Sequence, residues 1–276
     1  MTATTILDPK APAKTPEILR AGNLELRLAG SEAEIAAAQR LRFQVFHEEM
    51  GARTTQQAEA AGRDLDDYDP YCDHLLVIDH AEPARPAVVG TYRLLRQEVA
   101  ARHFGFYSAG EFDLGPLLSG SAGGRQLLEL GRSCVDPAHR NPLTINLLWR
   151  GIASYLADHG ISHMFGCGSL HGADPAQHAE ALAYLHHHHL APPDLRAYAY
   201  VGSERVDTGT LPPGSYDAKA ASRSLPPLVK GYLRVGAMIG DGAYLDRVFN
   251  TTDVFVIMPV DRITERYAGR YLNADA

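Results

Sequence analysis

Cysteine is scarce. The 276-residue chain carries Cys72, Cys134 and Cys167, an odd number without CxxC spacing, so neither a disulfide framework nor a zinc knuckle is expected, and the three read as reduced thiols. An excess of basic charge is absent too: 26 Lys+Arg stand against 33 Asp+Glu, a formal net charge of -7. That balance excludes a nucleic-acid binder held by a global basic field and leaves room only for local basic patches. No uncharged apolar run reaches the roughly 18 residues a spanning helix needs. Residues 1–22 lack the apolar centre of a signal peptide, so the expected location is the cytoplasm. What remains, 45% hydrophobic and 21% charged, is an ordinary globular composition.

Residues 1–22 read as a flexible leader, and residues 23–276 as a single domain. LELRLA (24–29) alternates like a strand. Ser31, followed three residues later by Glu34, caps a helix with Ile35, Ala38, Leu41, Arg42, Val45 and Phe46 at helical spacing, and Gly51 ends it. Residues 52–73 read as a long acidic loop, of the kind that tends to be functional. HLLVIDH (74–80) and AVVGTYRLL (87–95) predict an antiparallel hairpin, and QLLELGRSCV (126–135) a strong strand. Pro142 starts an amphipathic helix that Gly160 closes. HMFGC (163–167) is a buried-strand candidate. Helices are expected near 175–187 and 227–238, strands at 197–201 and 252–260, and a final short helix through Tyr271. This order defines an α/β fold with a mixed sheet. His186 to His189 form a four-histidine run, but consecutive helical positions point in different directions, so no metal site is expected.

Two constellations carry chemistry. In DLDDYDPYCD, Asp64, Asp66, Asp67, Asp69 and Asp73 crowd together beside Tyr68 and Tyr71. The calcium-loop pattern with its central Gly and terminal Glu is missing, which leaves a solvated loop or a pocket for a cationic substrate such as a diamine or amino acid. In ELGRSCVDPAHR, Glu129 and Arg132 would face opposite sides of a regular strand. A bulge at Gly131 would bring them to one face and splay the neighbouring strand, making either an acid/base and anchoring pair or a structural salt bridge. The following turn, Asn141-Pro142-Leu143, lacks the small residues of a pyrophosphate cradle, and Pro142 has no N–H to offer.

This strand, turn and helix resemble the GNAT acyltransferases: VDPAHR matches the start of their V-x-P-x-x-R motif, while their loop glycines are absent. That departure points to the branch that uses acyl carrier protein. LRFQVF, DDYD, GTYRLL and ELGR look like the acyl-homoserine-lactone synthases of that branch, although Ala52 stands where those usually carry Trp. ELGRSCVDPAHR, LLWRGI, HMFGCGSLHG and, above all, LPPLVKGYLRVGAMIGDGAYLDRVFNTTDVFVIMPVDRI are similar to the ornithine acyl-[acyl carrier protein] N-acyltransferases of ornithine-lipid synthesis, with a family-specific segment from about residue 211.

The resemblance implies a GNAT-like, mostly antiparallel central sheet flanked by helices, with a C-terminal extension. It implies transfer of a 3-hydroxyacyl group from acyl carrier protein, through the phosphopantetheine arm and with no other cofactor, to the α-amine of L-ornithine. Glu129 is the implied base and Arg132 its catalytic partner, with Arg42, Phe46, Asp66, Asp69 and Arg93 on the substrate side. An α-amine of pKa near 8 is mostly protonated at neutral pH, which is why a base is needed. Docking of an acidic carrier on an acidic chain requires a local basic face, for which Arg140, Arg150, Lys230 and Arg234 are candidates. Weak peripheral contact with the membrane is a secondary expectation, and nucleic acid is not a partner. A thioester intermediate on Cys134 is the covalent alternative, but no His is placed by sequence to activate it. Another amino-acid acceptor, a signal synthase, or a noncatalytic carrier-binding module remain open at this point.

Overall fold

The computed structural model describes residues 18–120 and 126–263. The strands in chain order are β1 (Leu19–Ala21), β2 (Leu24–Leu28), β3 (Asp73–Asp79), β4 (Ala87–Arg96), β5 (Phe112–Asp113), β6 (Gln126–Val135), β7 (Ile161–His171), β8 (Tyr198–Ala199), β9 (Arg205–Val206), β10 (Met238–Asp246) and β11 (Thr251–Pro259). The helices are α1 (Glu32–Phe43), α2 (Gln56–Ala61), α3 (Gln97–Ala100), α4 (Gly115–Gly120), α5 (Pro142–Asp158), α6 (Ala179–His189), α7 (Ala218–Ser224) and α8 (Pro227–Arg234). The sheet runs β1-β2-β3-β4-β6-β7-β11-β10-β8-β5, with β9 on β10, and is antiparallel except chiefly where β6 meets β7. Among the described residues no helix is long and apolar enough to cross a membrane.

Alternation along β3 assigns the two faces. Leu75 and Val77 point to a large core shared with Leu148, Ile152 and Tyr155 of α5 and Val229 and Tyr232 of α8, while Leu76 and Ile78 meet Ala38 of α1. Ser31 caps α1 as its spacing predicts, accepting from the Glu34 N–H at 3.3 Å, and α1 continues in a π-helical turn, Gln44–Glu49.

The sheet opens in its middle. The β6–β7 ladder stops at Glu129–Phe165, yet β6 stays paired with β4 up to Val135 and β7 with β11 up to His171. Beyond Glu129 the two strands therefore diverge with no ladder between their facing edges. Gly166 sits at the point of divergence, where a Cβ would overlap the Leu130 carbonyl oxygen.

A bulge does occur on β6: Thr91 and Arg93 of β4 are two apart, but their partners Cys134 and Gly131 are three apart. The left-handed residue is Arg132, at φ 49°, and not Gly131. The extra residue inverts the alternation, so that Leu128 and Leu130 enter the α5 core while Cys134 lies against Leu41 and Val45 of α1.

Several expectations are corrected. The last part of the expected leader is β1, which pairs with β2 from Leu19–Leu26 to Ala21–Leu24; residues 1–17 lie outside the described residues. The loop 52–73 contains α2, capped by Thr55 and closed by Gly62 at φ 57°. The helix expected over 227–238 stops at Arg234, and Met238 begins β10. That strand went unread because Gly240 and Gly242 interrupt its pattern, Gly242 at φ 80° beside a register shift between Ile239 and Ala243. The final helix falls largely outside the described residues.

Gly166→Ala should cost about 1–3 kcal/mol in urea unfolding, because overpacking here strikes backbone. Gly131→Ala, whose Cβ would stand 3.8 Å from Arg93 Nε, should be neutral or gain up to about 1 kcal/mol. Equal costs would put the constraint at the bulge instead.

Candidate active site

The acidic loop folds onto the sheet through its carboxylates. Arg42, fully buried, donates from Nε to Asp64 Oδ2 at 2.7 Å and from both Nη atoms to Asp69 at 2.8 and 3.0 Å. Arg93 donates to Asp66 at 2.5 and 2.6 Å and lies 3.3 Å from Asp69. Arg132 donates to Asp64 at 3.2 Å and Asp66 at 3.1 Å. The cation pocket expected of this loop is thus filled by the chain's own guanidiniums, which supply the charge that relieves the carboxylate repulsion. Burial alone would raise the Asp64 pKa, but His47, 3.6 Å from Asp64 Oδ1, and the charges of Arg132 and Arg42 hold it far below the ordinary value. Asp69 is likewise held at about 2 against its burial, by Arg42 and Arg93.

The network brings together most of the substrate-side residues named from sequence. Phe46 meets Phe249 edge-on at 5.9 Å, and the Arg132 guanidinium lies 4.6 Å from the Phe249 ring centre and 4.8 Å from that of Tyr107. Glu129 and Arg132 do not pair with each other. They converge on Tyr107: its ring underlies Arg132, and its N–H donates to Glu129 Oε2 at 2.7 Å. Glu129 Oε1 accepts from the Ser108 N–H at 2.7 Å and from Ser108 Oγ at 2.5 Å. Glu129 is only 4% exposed; burial pushes its pKa up, opposed by the Ser108 and Tyr107 hydrogen bonds.

A cavity of about 490 Å³ opens beside this wall, lined among others by Tyr68, Tyr107, Glu111, Tyr244 and Asp246. Tyr68 closes one side, and Glu129 lies behind Tyr107 and Ser108 and not on the lining. Cys167 Sγ stands between the Glu111 carboxylate, to which it donates at 3.3 Å, and the Ser108 hydroxyl, 3.5 Å away. Tyr107, Ser108, Glu111, Cys167 and Phe249 had no motif to reveal them, since they reach the site only through sheet pairing and a turn. Cys134 is buried and its thiol pushed up to about 12 by burial, which disfavours a thiolate nucleophile.

The basic candidates separate. Arg140 is engaged with Glu49 through two hydrogen bonds, at 2.6 and 2.5 Å, and so sits apart as a paired surface group. Arg150 lies on α5 next to Trp149, whose ring meets Tyr232 of α8 at 5.9 Å; on α8, Lys230 Nζ donates to the Arg223 carbonyl at 3.0 Å. The histidine run diverges as its spacing predicts: His186 meets Thr208, His187 the Leu211 carbonyl and His189 the Tyr184 hydroxyl.

A mixed sheet splayed between β6 and β7, followed by a strand, turn and helix, defines the GNAT class, and residues 41–150 match the acetyltransferase (GNAT) domain family. The chain is 50% identical over 254 residues to the L-ornithine N(alpha)-acyltransferase of Brucella abortus (strain 2308), covering 91% of this chain and 90% of that one. It is 49% identical over 259 residues to the enzyme of the same name from Rhizobium meliloti (strain 1021), covering 93% and 86%. The chain belongs to the L-ornithine N(alpha)-acyltransferase family. Among solved structures, the AHL synthase LasI overlaps at a TM-score of 0.47 with 12% identity, covering 92% of this chain and 96% of that one.

Removing Arg42 tests the network. Arg42→Met should cost about 3–5 kcal/mol at pH 7, because it strands buried carboxylates. The depressed carboxylates stabilise the parent above the ordinary value of 3.8, and this stability is lost only as pH falls toward about 2. The stranded carboxylates of the variant can protonate at higher pH, so the stability gap should narrow on acidification from pH 7. A gap unchanged between pH 7 and pH 4 in denaturant titrations would contradict a charged network.

Proposed function

We propose that this chain transfers a fatty acyl group from the thioester of acyl carrier protein to the α-amine of L-ornithine, releasing N-acylornithine and the free carrier thiol. The observation that carries this reading is the 50% identity to an L-ornithine N(alpha)-acyltransferase across 91% of the chain. The geometry supports it. The facing edges of β6 and β7 beyond Glu129–Phe165 offer unladdered backbone N–H and C=O groups, and a pantetheine arm with its amides can lie there as an added strand does. The thioester would then arrive near Glu129, where backbone N–H groups of the opened strand can stabilise the oxyanion.

Glu129 is the proposed proton acceptor for the attacking amine, directly or through water. Its three hydrogen bonds leave part of a carboxylate's accepting capacity of about four lone pairs, and burial raises its pKa, the direction that strengthens a proton acceptor. Arg132 holds Tyr107 and the loop carboxylates in place. Asp66 and Asp69, ion-paired within the chain, act here as organisers of the arginines. Carrier docking is proposed on the α5 and α8 side through Arg150, Lys230 and Arg234, with location in the cytoplasm and at most peripheral membrane contact.

Glu129→Gln should lower kcat about 10²–10⁴-fold while leaving carrier binding intact. Ser108→Ala removes one hydrogen bond to the same carboxylate but no proton acceptor, and should lose far less. Equal losses in steady-state thiol release would reduce Glu129 to a positioning residue.

A further inference from the structure

Beside the arginine network, three carboxylates converge that no arginine or lysine ion-pairs among the described residues. Glu111, Asp246 at the end of β10 and Asp253 on β11 each bring a carboxylate oxygen within 4.8 Å of the others. Among the described residues none of the three forms an ion pair. Glu111 and Asp253 are 8% and 4% exposed, and Asp253 Oδ1 has no hydrogen-bond partner. Asp246 Oδ1 accepts the N–H groups of Val248 and Phe249 at 2.7 and 2.9 Å, which fixes that carboxylate at the wall. A buried acceptor left unsatisfied costs free energy that a ligand's donor would recover.

The surroundings select the kind of donor. Glu111 and Asp246 line the cavity, whose other walls include the rings of Tyr68, Tyr107 and Tyr244, with Arg247 on the same lining. Aromatic faces favour an organic cation, and acids with a guanidinium on one lining offer partners for both kinds of charge on an amino acid bearing a second amine. Burial and neighbouring carboxylates push the carboxyls of Glu111 and Asp253 upward, a penalty on their charged forms that an arriving ammonium would relieve.

We infer that Glu111, Asp246 and Asp253 form the seat for the side-chain ammonium of the acceptor, and so select a diamino acid over its monoamino analogue. The inference rests on the reading of the chain as an ornithine N-acyltransferase. It also accounts for where the cationic group goes once Asp66 and Asp69 are occupied by arginines.

The full-length chain is assayed for thiol release from acyl carrier protein with L-ornithine and with L-norvaline, which has the same carbon skeleton without the δ-amine. Calorimetry in parallel measures binding of ornithine, norvaline, 1,4-diaminobutane, Mg²⁺ and Ca²⁺. The parent should prefer ornithine strongly and bind both diamines. Asp253→Asn and Asp246→Asn should raise KM for ornithine roughly 30-fold or more, as removal of one partner of a buried charge pair does, so that the ornithine-to-norvaline ratio of kcat/KM collapses. A ratio unchanged in both variants would overturn the seat, as would a parent that binds norvaline as tightly as ornithine. Binding of Mg²⁺ or Ca²⁺ lost in Asp253→Asn, with no binding of diamines, would make the cluster a metal site and overturn it equally. If the parent releases no thiol with any acceptor, the acyltransferase reading fails, while the diamine titrations of the parent and of Asp246→Asn, the less buried position, still decide the seat.

Discussion

Arg42, Arg93 and Arg132, interlocked with Asp64, Asp66 and Asp69, are the constraint on which the site depends. Burying charges in this number costs several kcal/mol per ion before pairing repays it, so such a network is weak evidence for net stability. Its effect is on placement. Arg42 comes from α1, Arg93 from β4, Arg132 from β6 and the acids from one loop, so the closed set of ion pairs fixes those four segments relative to one another. It also holds Arg132 in the left-handed conformation, which costs a non-glycine residue about 1–2 kcal/mol. That conformation turns Arg132 onto the face that Glu129 occupies, and sets Tyr107 between the two.

The fold was legible wherever one strand or helix carried its own pattern. β3, β4, β6 and α5 follow from alternation and capping, and the bulge on β6 from the awkward spacing of Glu129 and Arg132. The reason for the bulge was misplaced: glycine's freedom pointed to position 131, whereas ion pairs impose the unusual backbone at 132, and no local rule reports a force supplied by a loop more than sixty residues away. β10 was invisible for the opposite reason, since the glycines that break its alternation sit in a register shift, with pairing to β11 on either side of it. The acidic loop shows the same limit. Composition announced a need for positive charge and could not say that the chain itself supplies it.

The proposed function gives the two substrates separate places. The opening between β6 and β7 offers backbone edges, which suit an amide-bearing arm whatever acyl chain it carries, while the cavity under Tyr68 and Tyr107 offers charge, which suits discrimination among amino acids. Tyr107 and Ser108 stand at the junction: Tyr107 lines the cavity and their N–H groups hold Glu129 at the last position where β6 pairs with β7. Family membership fixes the class of reaction, and on the proposed reading this junction is where donor and acceptor would meet.

The most direct measurement is a crystal structure of the chain with a nonhydrolysable conjugate in which the α-nitrogen of ornithine is joined to an acyl-pantetheine. The account predicts the pantetheine lying between β6 and β7 beyond the Glu129–Phe165 pair, with the reacting carbon next to the wall formed by Glu129, Tyr107 and Ser108. A conjugate bound on the α5 and α8 side of the sheet, with the opening between β6 and β7 left empty, would contradict it.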